Sequence, residues 1–284
     1  MSRIDDSGAI SAPSSIKILN SLIKTTFPPL KKGSGSGNTN PTIFKALQLN
    51  LCNSGFAGCY EGGKSIGEGG SAIRTLGPNV VTVNEICLGD VTKYLQPDLA
   101  AAWPNDYTFF AFQPAIDRRT NGAYKCKNGD QYGDVVIGRV GAAKWKVFTA
   151  HGGQYANQDS GNEIRTFACA GATGDYSVCT THLSSKDANI AFAQCKALNF
   201  DAVPYFNSLD GNAGHTIIGG DLNLKYDTSS AVNVQKCVPN GYTRKGDGGV
   251  QHITFSNDFK FKSSSKISVL YTDHPGWLVE MTRA

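Results

Sequence analysis

His215 to Asn223 reads HTIIGGDLN. A β-branched run that passes through two glycines into a polar turn is a buried strand, and this one delivers Asp221 and Asn223 at its carboxyl end. The same form recurs along the chain. LQLNLCN carries Asn50, VVTVNEIC carries Glu85 and CTTHL carries His182 to the end of an apolar run, while TDHPGWL sets Asp273 and His274 side by side in a loop before a last strand. Singly, an Asp or Asn after a strand is a turn residue that bonds its own backbone. Together and in this order they describe a site, because strand ends are rigid and the loops beyond them are open.

Outward from these stretches, Thr42 begins the strand TIFKALQLNL. A Gly-rich loop through Gly70 follows, then a short helical run at Ala72 to Leu76 stopped by Gly77 and Pro78. Asp90 to Ala102 has helical spacing despite Pro97. YTFFAF, VVIGRV, WKVFTA, IRTFACA and YSVCTTHL follow with little helix between them, which implies antiparallel or mixed pairing. Asp187 to Leu209 is the best helix. Asp187 is its N-cap, Ile190, Ala193, Ala197, Phe200 and Val203 fall on one face, and Pro204 bends its end. QHITFS, KISVLY and WLVEM complete two β-rich halves with helices outside, and no repeat at solenoid spacing is present.

With 284 residues, 40% hydrophobic and 18% charged, the chain can bury a sizeable core and is not a disordered polymer. No apolar run approaches the roughly 18 to 20 residues of a membrane helix. Thirty-two glycines imply tight turns and short strands. The net charge of +4 and pI near 8.5 permit a polyanionic substrate without demanding one. Eight cysteines form no C-x-x-C pair, so disulfides fit better than zinc or eight buried thiols. Cys169 and Cys179 face each other across a Gly-rich turn, Cys52 and Cys59 enclose a short loop, and the other pairings stay open. An oxidising, secreted location follows from cysteine usage alone. The start MSRIDDSGAISAPSS lacks the basic and apolar regions of a secretory signal, so an export signal is expected to have been removed. Residues 1–41, with GSGSG at Gly33 to Gly37, are set apart as an appended or accessory leader that could dock on the domain or on a partner, leaving 42–284 as the catalytic domain.

LQLNLCN, VVTVNEIC, YGDVVIGR, CTTHL, GGDLN and TDHPGWLVEM together resemble the endonuclease/exonuclease/phosphatase superfamily, the deoxyribonuclease-I-like fold. The resemblance spans Asn50 to Met281. It implies an α/β fold, a four-layered sandwich of two packed mixed β-sheets flanked by helices, and hydrolysis of phosphate esters with magnesium, or else manganese or calcium. By the same resemblance Glu85 is the metal carboxylate, Asn50 supports the metal or the attacking water, and Asp273 adds a metal contact. Asp221 orients or deprotonates the water, Asn223 and Arg165 hold the phosphate, and His182 and His274 donate hydrogen bonds to its non-bridging oxygens. The chemistry suits the set, since an anionic diester needs a hard cation, donors around the phosphate and a base.

Two departures stand out. Asn84 replaces the glutamine that commonly precedes the metal glutamate, and keeps a structural hydrogen bond. Gln251 occupies the place of the aspartate that pairs with the catalytic histidine, so either the histidine works as a neutral donor or Asp247 or Asp258 substitutes. The acid limb of activity should then shift in Gln251→Asp. His151 and His215 lack motif support and are read as structural, while His252 is left undecided. Arg118, Arg119, Lys125 and Lys127 form a basic loop that suits either a nucleic-acid backbone or solvent. Three functions are carried forward. First is a secreted nuclease acting on DNA; some relatives of this kind, the catalytic subunits of cytolethal distending toxins among them, are toxins. The others are a phosphoinositide phosphatase or sphingomyelinase-type phosphodiesterase acting on a phospholipid headgroup, and a catalytically silent binding protein.

Overall fold

The computed structural model describes residues 11–31, 43–211 and 214–284. Strands run in chain order as β1 (Ile16–Leu19), β2 (Ile23–Phe27), β3 (Phe44–Asn50), β4 (Val80–Cys87), β5 (Asp106–Pro114), β6 (Ile116–Asp117), β7 (Gly122–Ala123), β8 (Tyr132–Gly141) and β9 (Phe148–Tyr155). They continue as β10 (Glu163–Ile164), β11 (Thr166–Ala172), β12 (Tyr176–His182), β13 (Thr216–Asp221), β14 (Tyr242–Gly246), β15 (Gln251–Ser256), β16 (Phe259–Ile267) and β17 (Gly276–Arg283). One seven-stranded sheet has the order β1-β9-β11-β12-β13-β15-β14 and the other β16-β17-β3-β4-β8-β5-β2, with β10-β6-β7 as a small third sheet. Each large sheet holds one parallel pair, β3 with β4 and β12 with β13. Parallel neighbours need a crossover, and helices supply it. Helix α1 (Lys64–Leu76) joins β3 to β4, and α4 (Ala188–Lys196) with α5 (Val203–Asp210) joins β12 to β13.

The period-2 alternation of side chains builds the layers. On β3, Leu47 and Leu49 point outward to pack with Ile66 and Ile73 of α1, whereas Phe44 and Ala46 point inward to meet Ile217 and Ile253 of the facing sheet. On the far side, Ile218 of β13 packs with Ala191, Leu198 and Val203. Helices, sheet, sheet and helices thus form four layers separated by apolar packing. The sheets approach closely at Gly219, where an added Cβ would lie 2.2 Å from Thr82 Oγ1. Toward the carboxyl ends of β3, β4, β12 and β13 the inward residues become polar: Gln48 and Asn50, Thr82 and Asn84, Thr180 and His182, then Asp221.

Three expectations change. Helix α1 starts at Lys64, inside the stretch read as a Gly-rich loop, with Gly69 and Gly70 packed closely against the Leu51 and Asp98 side chains. The helix after Asp187 begins as expected, with the Asp187 carboxylate accepting from the Asn189 and Ile190 amides at 2.8 and 3.3 Å. Its middle, Ala197–Ala202, is π-helical and advances the face, so Phe200 points to solvent while Leu198 and Ala202 are buried. Pro204 then opens α5, where its missing N–H is tolerated.

The third concerns residues 1–41. The linker Gly33 to Gly37 lies outside the described residues, but Ile16–Leu19 and Ile23–Phe27 are edge strands of the two large sheets, paired with β9 and β5. A boundary at residue 41 therefore cuts across the domain. Ile16 is buried in the same apolar layer as Tyr155 and Phe167. All eight cysteines pair, as Cys52–Cys59, Cys87–Cys126, Cys169–Cys179 and Cys195–Cys237. Ile16→Ala should lower the unfolding free energy by about 2–3 kcal/mol, read from urea titration; a dispensable appendage would leave the midpoint unmoved.

Candidate active site

The two parallel pairs end on the same rim. Asn50 stands beside Asn84 in one sheet and His182 beside Asp221 in the other. Between them runs a buried chain of amides. Gln48 Nε2 donates to Asn84 Oδ1 at 2.7 Å and to Gln251 Oε1 at 3.0 Å, and Gln251 Nε2 donates to Asp221 Oδ2 at 2.8 Å. Asn84 Oδ1 also accepts the Asp221 backbone N–H at 2.8 Å. Asn50 Nδ2 lies 2.9 Å from Glu85 Oε1 and 3.1 Å from Asp221 Oδ2, so one amide bridges both carboxylates.

Backbone conformation aims the ends of these strands. Cys52, Glu85 and Asn223 have φ of 46°, 55° and 49°, a region that side-chain-bearing residues seldom enter. Glu85 lies where the β4–β8 register slips between Val83 and Ile86, a bulge that turns its side chain onto the rim. Asn223 is held by its N–H on Asp221 Oδ1 at 3.1 Å and its Nδ2 on Leu183 O at 2.9 Å. The loop after β16 brings His274 Nε2 to 3.4 Å from Asp221 Oδ2 and 3.6 Å from Asp273 Oδ1, and Thr272 Oγ1 ties that loop to Asn50 O at 2.9 Å.

The charges are crowded and dry. Burial pushes the Asp221 carboxyl above the ordinary range, and His274, Asn50, Asn223 and Gln251 pull it back only in part. Burial likewise raises Glu85, with Glu163 and Asp221 adding like-charge repulsion against Asn50 and Arg165. His182 is held well below its usual value by burial, then by Arg165 and His274, so the ring is neutral at pH 7. Its Nδ1 is buried 3.9 Å from Glu85 Oε1 and has no hydrogen-bond partner among the described residues. Arg165 is buried, with Nη1 on Glu163 Oε1 at 2.7 Å and Nη2 on Ser185 Oγ at 3.3 Å.

Asn50, Glu85, His182, Asp221, Asn223, His274 and Arg165 thus come together. Asp273 sits at the edge, its side chain 59% exposed. It clusters with Cys52 and Cys59, whose sulfurs are joined to each other and offer no thiolate to a metal. The Asn50 oxygen accepts the Cys52 N–H at 3.1 Å, while its Nδ2 bridges Glu85 and Asp221. Asp247 and Asp258 are engaged away from His274, on Gly249 and Gln251 N–H groups and on Ser256 and His215 respectively. Asp221 is the carboxylate that His274 meets. Arg119 pairs with Asp117 at 2.8 Å and Arg118 bonds the Asp159 and Gly161 carbonyls, so neither guanidinium of that loop is unengaged. His151 stacks on Phe206 and bonds Asp210 at 2.9 Å.

Sequence reasoning missed Tyr132, Asp134 and Glu163. The buried Tyr132 hydroxyl is pushed up by burial and by Glu163 and Glu85, which places it among the site charges. Asp134 Oδ1 accepts from Asn84 Nδ2 at 2.8 Å and Oδ2 from the His182 N–H at 3.2 Å, joining the two halves, and burial raises it to about 7. The signal was in YGDVVIGR, where an acid inside a continuous apolar strand has to be bonded.

Comparison with solved structures places this arrangement. An endonuclease/exonuclease/phosphatase family protein from Bacteroides thetaiotaomicron superposes with a TM-score of 0.56 at 12% identity, covering 87% of this chain and 100% of that one. The chain has the endonuclease/exonuclease/phosphatase fold. The human nocturnin catalytic domain with bound sulfate follows at TM-score 0.59 and 12% identity, covering 85% and 94%, and D. rerio TDP2 with a single-strand DNA product at 0.55 and 12%, covering 85% and 100%. No family model and no curated protein matches the sequence.

Two outcomes test the site. Gln251→Glu replaces a donor to Asp221 with a like charge, so the acid limb of the pH–rate profile should move up by about one unit or more; an unmoved limb would detach Asp221 from that titration. His252, left undecided by the sequence, is buried and bonded to Leu224 O at 2.8 Å, and burial lowers its pKa from 6.5 to about 4. The unfolded chain therefore takes up a proton below about 6.5 that the fold refuses, and stability falls as pH drops from 6.5 toward 4, by at most about 3 kcal/mol. Urea unfolding at pH 7 and 4.5 should show a smaller acid loss in His252→Gln.

Proposed function

We propose that the chain is a divalent-metal-dependent phosphodiesterase that hydrolyses nucleic acid by in-line attack of water, and that it acts outside the cell. The observation that carries this reading is the convergence of Glu85, Asn50, Asp221, His274 and His182 on one rim between the sheets. The fold neighbours lend support: TDP2 with a single-strand DNA product, nocturnin with sulfate, and ANGEL2, a 2',3'-cyclic phosphatase, with adenosine-2',3'-vanadate. Four disulfides support an extracellular location.

The donor set fits a hard cation. Glu85, Asp221 and Glu163 are desolvated carboxylates, and Glu163 and Asp221 each raise the proton affinity of Glu85, a repulsion that a divalent ion offsets. Glu85 would hold magnesium, manganese or calcium, with Asp273 the second candidate ligand and Asn50 fixing the distance between Glu85 and Asp221. Bound there, the ion would neutralise phosphate charge.

The remaining roles follow from the protein groups. Asp221, its basicity raised by burial, takes a proton from the attacking water while Gln251 and Asn50 fix its oxygens. Asn223 has an amide hydrogen to spare for a phosphate oxygen. Neutral His182 donates a ring N–H to another, and the Arg165 charge attracts the diester. A supercoiled plasmid should be nicked with magnesium and spared with a chelator, and Glu85→Gln and His182→Ala should each lower kcat by about 100-fold or more. Phosphate or headgroup release from phosphoinositide or sphingomyelin, with no nicking, would instead make the substrate a lipid.

A further inference from the structure

Beyond the rim, the turn between β14 and β15 opens on a cavity of about 320 Å³ lined by Tyr226, Arg244, Lys245, Gly248, Gly249 and His252. Its floor is rigidly built. His252 Nε2 meets Leu224 O at 2.8 Å, which leaves Nδ1 to accept from Arg244 Nη1 at 3.0 Å. Arg244 Nε donates to Gln235 Oε1 at 3.1 Å, and the guanidinium lies 5.1 Å from the centre of the Tyr226 ring. Every group that orients Arg244 is neutral. Among the described residues neither Arg244 nor Lys245 forms an ion pair with a carboxylate, so a half-buried guanidinium stands in place without a counter-ion.

Charge on the chain is distributed to match. Residues 225–271 contain seven of the 27 Lys and Arg and three of the 23 Asp and Glu, so the whole excess of +4 resides there. Lys245 Nζ lies 3.8 Å from the Phe261 ring centre on β16, whose Lys260, Lys262 and Lys266 are exposed. The cavity also shares a frame with the site. Gln251 pairs with Asp221 in the sheet, Leu222 N donates to Val250 O at 2.9 Å, and Asp247 N donates to Gln251 O at 3.1 Å.

We infer that this cavity binds a nucleotide flanking the scissile phosphodiester, with its phosphate on Arg244 and its base stacked on Tyr226. The inference rests on the nucleic-acid reading above and adds where the strand runs. Tyr226 is 56% exposed with a guanidinium near its ring, the arrangement in which aromatic stacking and a cation act together on a single strand. An inositol phosphate offers phosphates to the cations but no flat face to the ring.

The test is fluorescence anisotropy of a single-stranded DNA dodecamer in chelator, so that binding is read apart from turnover. Arg244→Gln should raise Kd about fivefold or more and reduce the slope of log Kd against log salt by about 0.7. Tyr226→Ala should weaken a normal strand several-fold and leave an abasic strand unaffected, while Arg244→Lys recovers part of the salt slope. Hydrolysis of bis(p-nitrophenyl) phosphate within twofold of wild type, with an unchanged circular dichroism spectrum, shows each variant folded and its chemistry intact. Equal dodecamer affinity in Arg244→Gln overturns the inference while leaving the nuclease standing, provided the wild type cleaves DNA. Wild type that neither binds nor cleaves DNA overturns both, and loss of phosphoinositide-vesicle binding in place of DNA binding reassigns the cavity to a lipid headgroup.

Discussion

A carboxylate removed from water has to be surrounded by donors, and the rim of this sandwich is organised around meeting that requirement for Asp221. Its backbone N–H is taken by Asn84, one side-chain oxygen is approached by Asn50, Gln251 and His274, and the other accepts the N–H of Asn223. The hydrogen-bond partners of Asp221 come from both sheets. Asn50 and Asn84 stand on one, Gln251 on the other, and Gln48 joins Asn84 to Gln251 across the gap. The position of Asp221 is therefore coupled to the spacing of the sheets, which the apolar layer behind it sets through Gly219 against Thr82. Packing and chemistry meet at that spacing.

The same network accounts for Asn84 and Gln251, the two departures from the pattern the sequence resembles. Asn84 is short enough to lie between Asp134, Gln48 and Asp221. Gln251 presents an acceptor to Gln48 and a donor to Asp221, and a carboxylate in its place would offer no donor. An amide here is the consistent partner for an acid already buried beside it. His274 in turn meets Asp221 directly, so the acid it faces is the one the sequence had assigned to the water.

Much of this was legible in the sequence where polar residues interrupt an apolar run at its carboxyl end. Asn50, Glu85, His182, Asp221 and Asn223 are exposed to such reading because strand ends point one way and the loops cannot hide them. Asp134 and Tyr132 lie at the beginning of a strand instead of its carboxyl end, so that rule does not reach them, and the acid inside an apolar run is the one local signal for Asp134. The π-helical turn at Ala197–Ala202 escaped for a different reason: periodicity assumes one residue spacing, and an extra residue per turn moves Phe200 outward without changing composition. The edge strands Ile16–Leu19 and Ile23–Phe27 are short and carry exposed lysines, which suits edges and disguises them as a leader.

Those two strands also bear on the order in which the protein is made. Ile16 leaves the ribosome well before its sheet partner Tyr155, and Ile23 before Phe112. For much of synthesis the first segment has no edge to join, and pairings this distant in sequence form slowly. These edge strands therefore stay unpaired until Tyr155 and Phe112 have been made, and β3 waits longer still, for its neighbour Gly276–Arg283.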